Sequence, residues 1–256
     1  CSSCWGIEPQ LRKLKLEYGD YFDIDYRMGG LLPSWDIYNS GGISKPGDVA
    51  SHWDEVSEHY EMPIDGDIWL EDPLASSYPP SVAFKAVQKQ NPSLAVRYLR
   101  RLRELVFVQK TNIAKAEVLQ EVALDLDVDI GQFESDIEGE ALQRFKADLE
   151  LAKQQGVRGF PTLITKGDKT PVKLGGVRSY EAFEQLILQQ VPGAQKTILD
   201  FNARTIFDVY PSLTAKEFAV LLNTTLEGAK SKLHDLAEAN LVTEINKKNG
   251  SLWLKN

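Results

Sequence analysis

The chain has 256 residues, 43 % hydrophobic and 26 % charged, enough to bury one sizeable core and a smaller second one. Its formal net charge of -8 argues against general affinity for nucleic acid or acidic membrane surfaces, and no stretch approaches the ~18 apolar residues of a membrane span. Two cysteines cannot build a disulfide scaffold; a lone Cys-x-x-Cys reads as redox chemistry and favours a cytoplasmic location.

That pair, Cys1-Ser2-Ser3-Cys4, heads an amphipathic helix in which Trp5, Ile7, Leu11, Leu14 and Tyr18 recur at helical spacing, with a bend at Pro9 and an end near Gly19. A thiolate at Cys1 would meet the unpaired N–H groups and positive dipole end of the helix, which favour the charged form. Cys4, one turn on, is placed to resolve a mixed disulfide. The same spacing is half of a zinc site, but only His52, His59 and His234 remain, none in ligand spacing with the pair, so no metal is expected. Partial alternation over Tyr21–Met28 predicts a strand that Gly29-Gly30 ends, and the chain from Leu31 to about Gly42 reads as a loop.

Periodicity then predicts helices over Val49–Tyr60, Ser81–Gln90, Ser93–Val108, Ala114–Leu124 and Ile130–Gln155 with a break near Gly139, prolines punctuating their starts. His52 and His59 in the first of these read as a surface or partly buried helix face, and the arginines at 97, 100, 101 and 103 as a solvated stripe. Asp125-Leu126-Asp127-Val128-Asp129 lacks the Gly and Glu of a calcium loop and reads as a connecting turn. Sheet signals return as a hairpin, Phe160–Thr165 and Val172–Leu174, and Ser179 is a candidate N-cap for a helix over Tyr180–Gln190.

After Val191-Pro192-Gly193 a module from Ile198 to Asn256 shows helices over Leu199–Tyr210, Thr214–Leu222 and Thr225–Asn240, then a hairpin with an Asn249-Gly250 turn signal. It resembles a winged helix-turn-helix. Its basic and acidic side chains sum to zero, which argues against duplex binding and for a packing or protein-contact role.

Cys1-Ser2-Ser3-Cys4-Trp5-Gly6, the Met28-Gly29-Gly30-Leu31 turn, the helical block and Gly159-Phe160-Pro161-Thr162 together resemble the DsbA superfamily. Within it the chain is similar to the FrnE-type branch and to the YjbH-like adaptors, which present the transcription factor Spx to the ClpXP protease. The similarity to those adaptors includes Asp65-Gly66 with Trp69, Phe107-Val108 with Asn112-Ile113, and a tail with Gly250 and Trp253. It implies an α/β, thioredoxin-like fold, residues 1–45 and 156–192, interrupted by an inserted helical domain, 46–155, and followed by the winged-helix-like module, 198–256. In such folds a central strand leads into the CxxC helix, so a segment ahead of Cys1 is expected.

The resemblance further implies that Pro161 is cis, that Cys1 and Cys4 are the catalytic pair, and that Trp5, Phe160, Pro161 and Thr162 shape a groove for an extended substrate. Taken from the residues alone, Trp35, Trp53 and Trp69 read individually as core side chains, with the lining of that groove as the alternative. Ser2-Ser3 departs from the Pro-His, Gly-His and Gly-Pro pairs of well-known relatives and supplies no imidazolium. The implied activity is thiol-disulfide exchange with a protein or peptide substrate, with no cofactor beyond the redox-active cysteines. The alternative is a non-catalytic adaptor gripping a regulatory-protein client.

Overall fold

The structure, a computed structural model, describes residues 1–39 and 41–256; Ser40, inside the expected Leu31–Gly42 loop, lies outside the described residues. The opening amphipathic segment forms α1 (Ser2–Gly6) and α2 (Glu8–Tyr18), which meet at Ile7, two residues before Pro9. Helices follow as α3 (Pro46–Tyr60), α4 (Ile68–Glu71), α5 (Tyr78–Gln90), α6 (Pro92–Phe107), α7 (Ala116–Leu124), α8 (Ile130–Glu138) and α9 (Glu140–Gln154). Pro46, Pro79 and Pro92 sit in first turns, where a missing N–H leaves no intrahelical bond unmade. Asn91 caps α6 through the N–H groups of Ser93 and Leu94, and Asp129 caps α8 through that of Gln132. The acidic run at 125–129 is therefore a connection between α7 and α8.

The chain then forms the antiparallel hairpin β1 (Thr162–Ile164) and β2 (Lys173–Gly175), with Leu163 opposite Leu174, and helix α10 (Tyr180–Gln190). Last come α11 (Ile206–Val209), β3 (Ser212–Thr214), α12 (Ala215–Leu221), α13 (Leu226–Glu238), β4 (Val242–Lys247) and β5 (Gly250–Lys255). These three strands make an antiparallel sheet in the order β3-β5-β4.

Two expectations about secondary structure fail. Tyr21–Met28 is extended but not a strand: side chains alternate between exposed and half-buried, no ladder partner lies beside this backbone among the described residues, and the Met28 N–H goes to Asp148 Oδ2 at 2.9 Å. Alternation makes a chain extended; pairing makes it a strand. The helix expected over Leu199–Tyr210 shrinks to α11, because the Asn202 side chain accepts from the N–H groups of Arg204 and Thr205 and starts a turn there. Ile198, 92 % exposed, has no core to join.

By packing, the chain divides into two compact units. One, the dithiol unit, comprises Cys1–Asp25, Ser57–Pro63 and Gly159–Asn256; the other, the helical unit, comprises Tyr26–Val56 and Ile64–Arg158. The core of the helical unit gathers Phe84, Tyr98, Phe133 and Phe145 from α5, α6, α8 and α9. Inside it, buried Asp148 takes Lys85 at 2.9 Å and Arg27 at 3.0 Å, so a carboxylate removed from water is paired. Arg100, one member of the supposedly solvated stripe, is buried and bonded to Glu104 at 2.7 Å. Trp69 stacks edge-to-face on Trp35 and on Trp53, whose ring also meets Phe107.

The dithiol unit has two apolar clusters. Leu11, Leu14 and Tyr18 of α2 pack on Phe183 and Ile187 of α10, with Leu163 and Leu174 of the hairpin alongside. Phe207, Phe218, Leu233 and Trp253 centre the other, which Leu16 of α2 joins.

Candidate functional site

Cys1 is the N-cap residue of α1, its carbonyl accepting from the N–H groups of Cys4 and Trp5, which sets the two cysteines one turn apart. Cys1 is exposed and Cys4 half-buried, and both are thiols. The Cys1 side chain makes no cap hydrogen bond; its Sγ–H donates instead to the carbonyl of Phe160, at 3.7 Å. That differs from the expected alignment of the sulfur with the helix N–H groups, for a simple reason: a thiol donates to a carbonyl, whereas a thiolate only accepts and would turn toward the helix end.

Phe160 precedes Pro161 through a cis peptide bond, as expected. Phe160 is half-buried, Pro161 buried, and Thr162 half-buried with its hydroxyl on the Gly159 carbonyl at 2.7 Å. The Pro161 carbonyl accepts from Gly176 N–H at 2.8 Å, which fixes the start of β1 against the end of β2. Cys1 and the Phe160-Pro161 turn, 159 residues apart in sequence, are thus brought together.

Trp5 behaves otherwise. It is 0 % exposed and its indole N–H donates to the Pro63 carbonyl at 3.1 Å, so it supports the helix from beneath and presents no surface to a substrate. Trp35, Trp53 and Trp69 belong to the aromatic stack of the helical unit. His52 and His59 are exposed on α3, and no group of three or more metal-ligating side chains is found among the described residues.

One supporting segment escaped sequence reasoning. Residues 57–63 place the Tyr60 hydroxyl 3.0 Å from Ser3 Oγ, inside the CxxC dipeptide, and lay the Tyr60 ring where a Cβ on Gly6 would come within 2.6 Å. Gly6 is thereby required by close approach, and the CxxC helix is held along its length by Tyr60 and Pro63. The one available signal was the glycine directly after the motif.

From the first half of α2, Arg12 ties in the last elements. Its guanidinium lies 4.4 Å over the Tyr210 ring, donates to the Ser212 carbonyl at 2.9 Å, and pairs with fully buried Glu217 at 3.3 Å. Glu217 also closes a capping box with Thr214 at the start of α12.

A profile described as Thioredoxin matches residues 1–185. The ClpXP adapter protein SpxH of Halalkalibacterium halodurans is 30 % identical over 259 residues, spanning 99 % of this chain and 85 % of that protein. Among solved structures, a candidate protein disulfide isomerase from Nitrosomonas europaea superposes with a TM-score of 0.64 at 23 % identity, over 74 % of this chain and 93 % of that one. The cytosolic disulfide reductase DsbM from Pseudomonas aeruginosa does so with 0.59 at 23 %, over 75 % and 95 %. A thiol helix facing a cis-proline turn, a helical unit between them in sequence, and a relative aligned from end to end lead to one conclusion: the chain belongs to the thioredoxin-like proteins and, among them, to the family of the ClpXP adapter protein SpxH.

Proposed function

We propose that this protein is a cytoplasmic adaptor that holds a regulatory protein, of the Spx kind, for degradation by a ClpXP-type protease. The observation that carries this reading is the extent of the relationship. The similarity to SpxH runs through 99 % of the chain, including residues beyond 185 that the thioredoxin profile leaves out, whereas the disulfide-enzyme structures cover 74 and 75 % of it. Arg12 fastens those residues to α2, the helix that follows the CxxC helix, which supports a role for them in the same task. Among the described residues no helix is long and apolar enough to cross a membrane. The test is reconstitution: purified chain, ClpXP and client. Faster client loss with the chain than without it is expected, and an unchanged rate would overturn the reading.

The exposed Cys1 sulfur beside the Phe160 carbonyl favours a second activity, disulfide exchange. Cys1 as thiolate would attack one sulfur of a client disulfide and expel the other as thiolate. Cys4 would then attack the Cys1 sulfur of the mixed disulfide, freeing the second client thiol and leaving Cys1–Cys4 oxidised by two electrons. Phe160, Pro161 and Thr162 would border the bound segment, with no cofactor beyond the two cysteines. Cys1→Ser separates the two activities: it abolishes disulfide exchange in an insulin-reduction assay and leaves client delivery intact if gripping is independent of the thiol.

A further inference from the structure

We propose that a groove in the helical unit is a docking site for a basic amphipathic helix of a protein partner. The groove has a volume of about 800 Å³ and runs between the first turn of α5, helices α7 and α8, and the start of α9. Tyr78, Val82, Leu119, Phe133, Ile137 and Leu142 line it, so its floor is apolar. Exposed residues, among them Glu134, Ser135 and Glu138, form its mouth.

The occupant follows from charge. Residues 116–142, which supply α7, α8 and the start of α9, contain nine carboxylates and no lysine or arginine, a net of -9 in a chain whose total is -8. Every other residue together sums to +1. Lys89 answers Asp136 and Glu140, and Arg144 also answers Glu140. Glu134 receives only the neutral amide of Gln120, at 2.7 Å, which leaves its charge in place. An apolar trough with an anionic lip repels nucleic acid, acidic lipid and fatty acids alike. It fits a helix that lays leucine-like side chains into the floor and sets Lys or Arg against the rim.

This deepens the adaptor reading by naming the chemistry of one partner segment, and it rests on that reading for biological purpose alone. The groove lies in the unit that does not carry the cysteines.

The test uses the whole chain and synthetic peptides of about four helical turns. One carries Leu on one face and Lys on the other; a second replaces Lys by Glu; a third scrambles the Leu/Lys composition so that no face forms. Titration calorimetry should show one bound copy of the first peptide only, with affinity falling as salt rises. Glu134→Lys with Glu138→Lys should weaken it by about tenfold or more. Ala116→Trp, a change at an exposed groove-lining position, should block it while circular dichroism and the unfolding midpoint stay unchanged. Absence of binding, equal binding of the acidic or scrambled peptide, or binding that survives Ala116→Trp would each overturn the proposal. Neither client nor protease enters this assay, so its failure is distinguishable from failure of client delivery.

Discussion

Cys1 reaches solvent and Cys4 is half-sunk behind it, which sets an order of reaction for the pair. Limited alkylation followed by mass spectrometry should label Cys1 well before Cys4; earlier labelling of Cys4 would reverse their roles. Gly6→Ala tests the support beneath them. The added Cβ meets the Tyr60 ring at 2.6 Å, and overpacking of this kind costs about 1–3 kcal/mol, readable as a lower urea midpoint. Legibility at this scale followed the motifs. The cysteines and the Phe160-Pro161 turn each carry a signature in a few adjacent letters. The contacts of Tyr60 with Ser3 and of Pro63 with Trp5 join positions 57 and 58 residues apart, and no local pattern marks them.

Between elements, polar contacts decide what is fixed to what. Arg12 is the half-buried cation facing Glu217, so Arg12→Ala takes the countercharge from a carboxylate with 0 % side-chain exposure, leaving it its capping contact with Thr214, and should lower stability by about 3 kcal/mol in equilibrium unfolding. Replacing both partners with apolar residues of similar volume should cost less than that single change. On the other side of α2, the Tyr18 hydroxyl donates to Glu184 of α10 at 2.9 Å, and the Tyr180 hydroxyl donates to Glu17. Burial, reinforced by Glu184, pushes the Tyr18 phenol up to about 12, and burial with Glu17 raises Tyr180 as well. A raised phenol keeps its proton in the folded chain after the unfolded chain has lost it. The associated stability is therefore complete below pH ~10 and should drain away by roughly 2 kcal/mol towards pH ~12. Denaturation midpoints across that range should fall, and Tyr18→Phe should flatten part of the slope. Helices of this kind were legible because apolar periodicity and N-terminal prolines mark α3, α5 and α6 strongly. Tyr21–Met28 was misread because a strand needs a neighbour that its own letters do not specify.

For the whole molecule, the sequence carries its charge very unevenly, and that bears on what the final module does. From 198 onward the formal charges cancel, so duplex DNA added to the whole chain at physiological salt should show no association with a steep salt dependence. Micromolar binding that collapses with added salt would contradict this. A different consequence follows from α3, which is one continuous helix whose first part packs with one unit and whose last turn, with the residues up to Pro63, packs with the other. The helical block therefore cannot be lifted out as a cassette. Cutting from Pro46 to Gln155 and rejoining the ends would also discard Tyr60 and Pro63 from beneath the CxxC helix. It would discard Met62 too, whose sulfur accepts from the Thr214 hydroxyl at 3.2 Å. A stripped-down version that keeps its cysteines in place would have to splice residues 57–63 back in, so descent from a smaller ancestor by one clean insertion would have demanded that this short stretch be re-fitted at the same time.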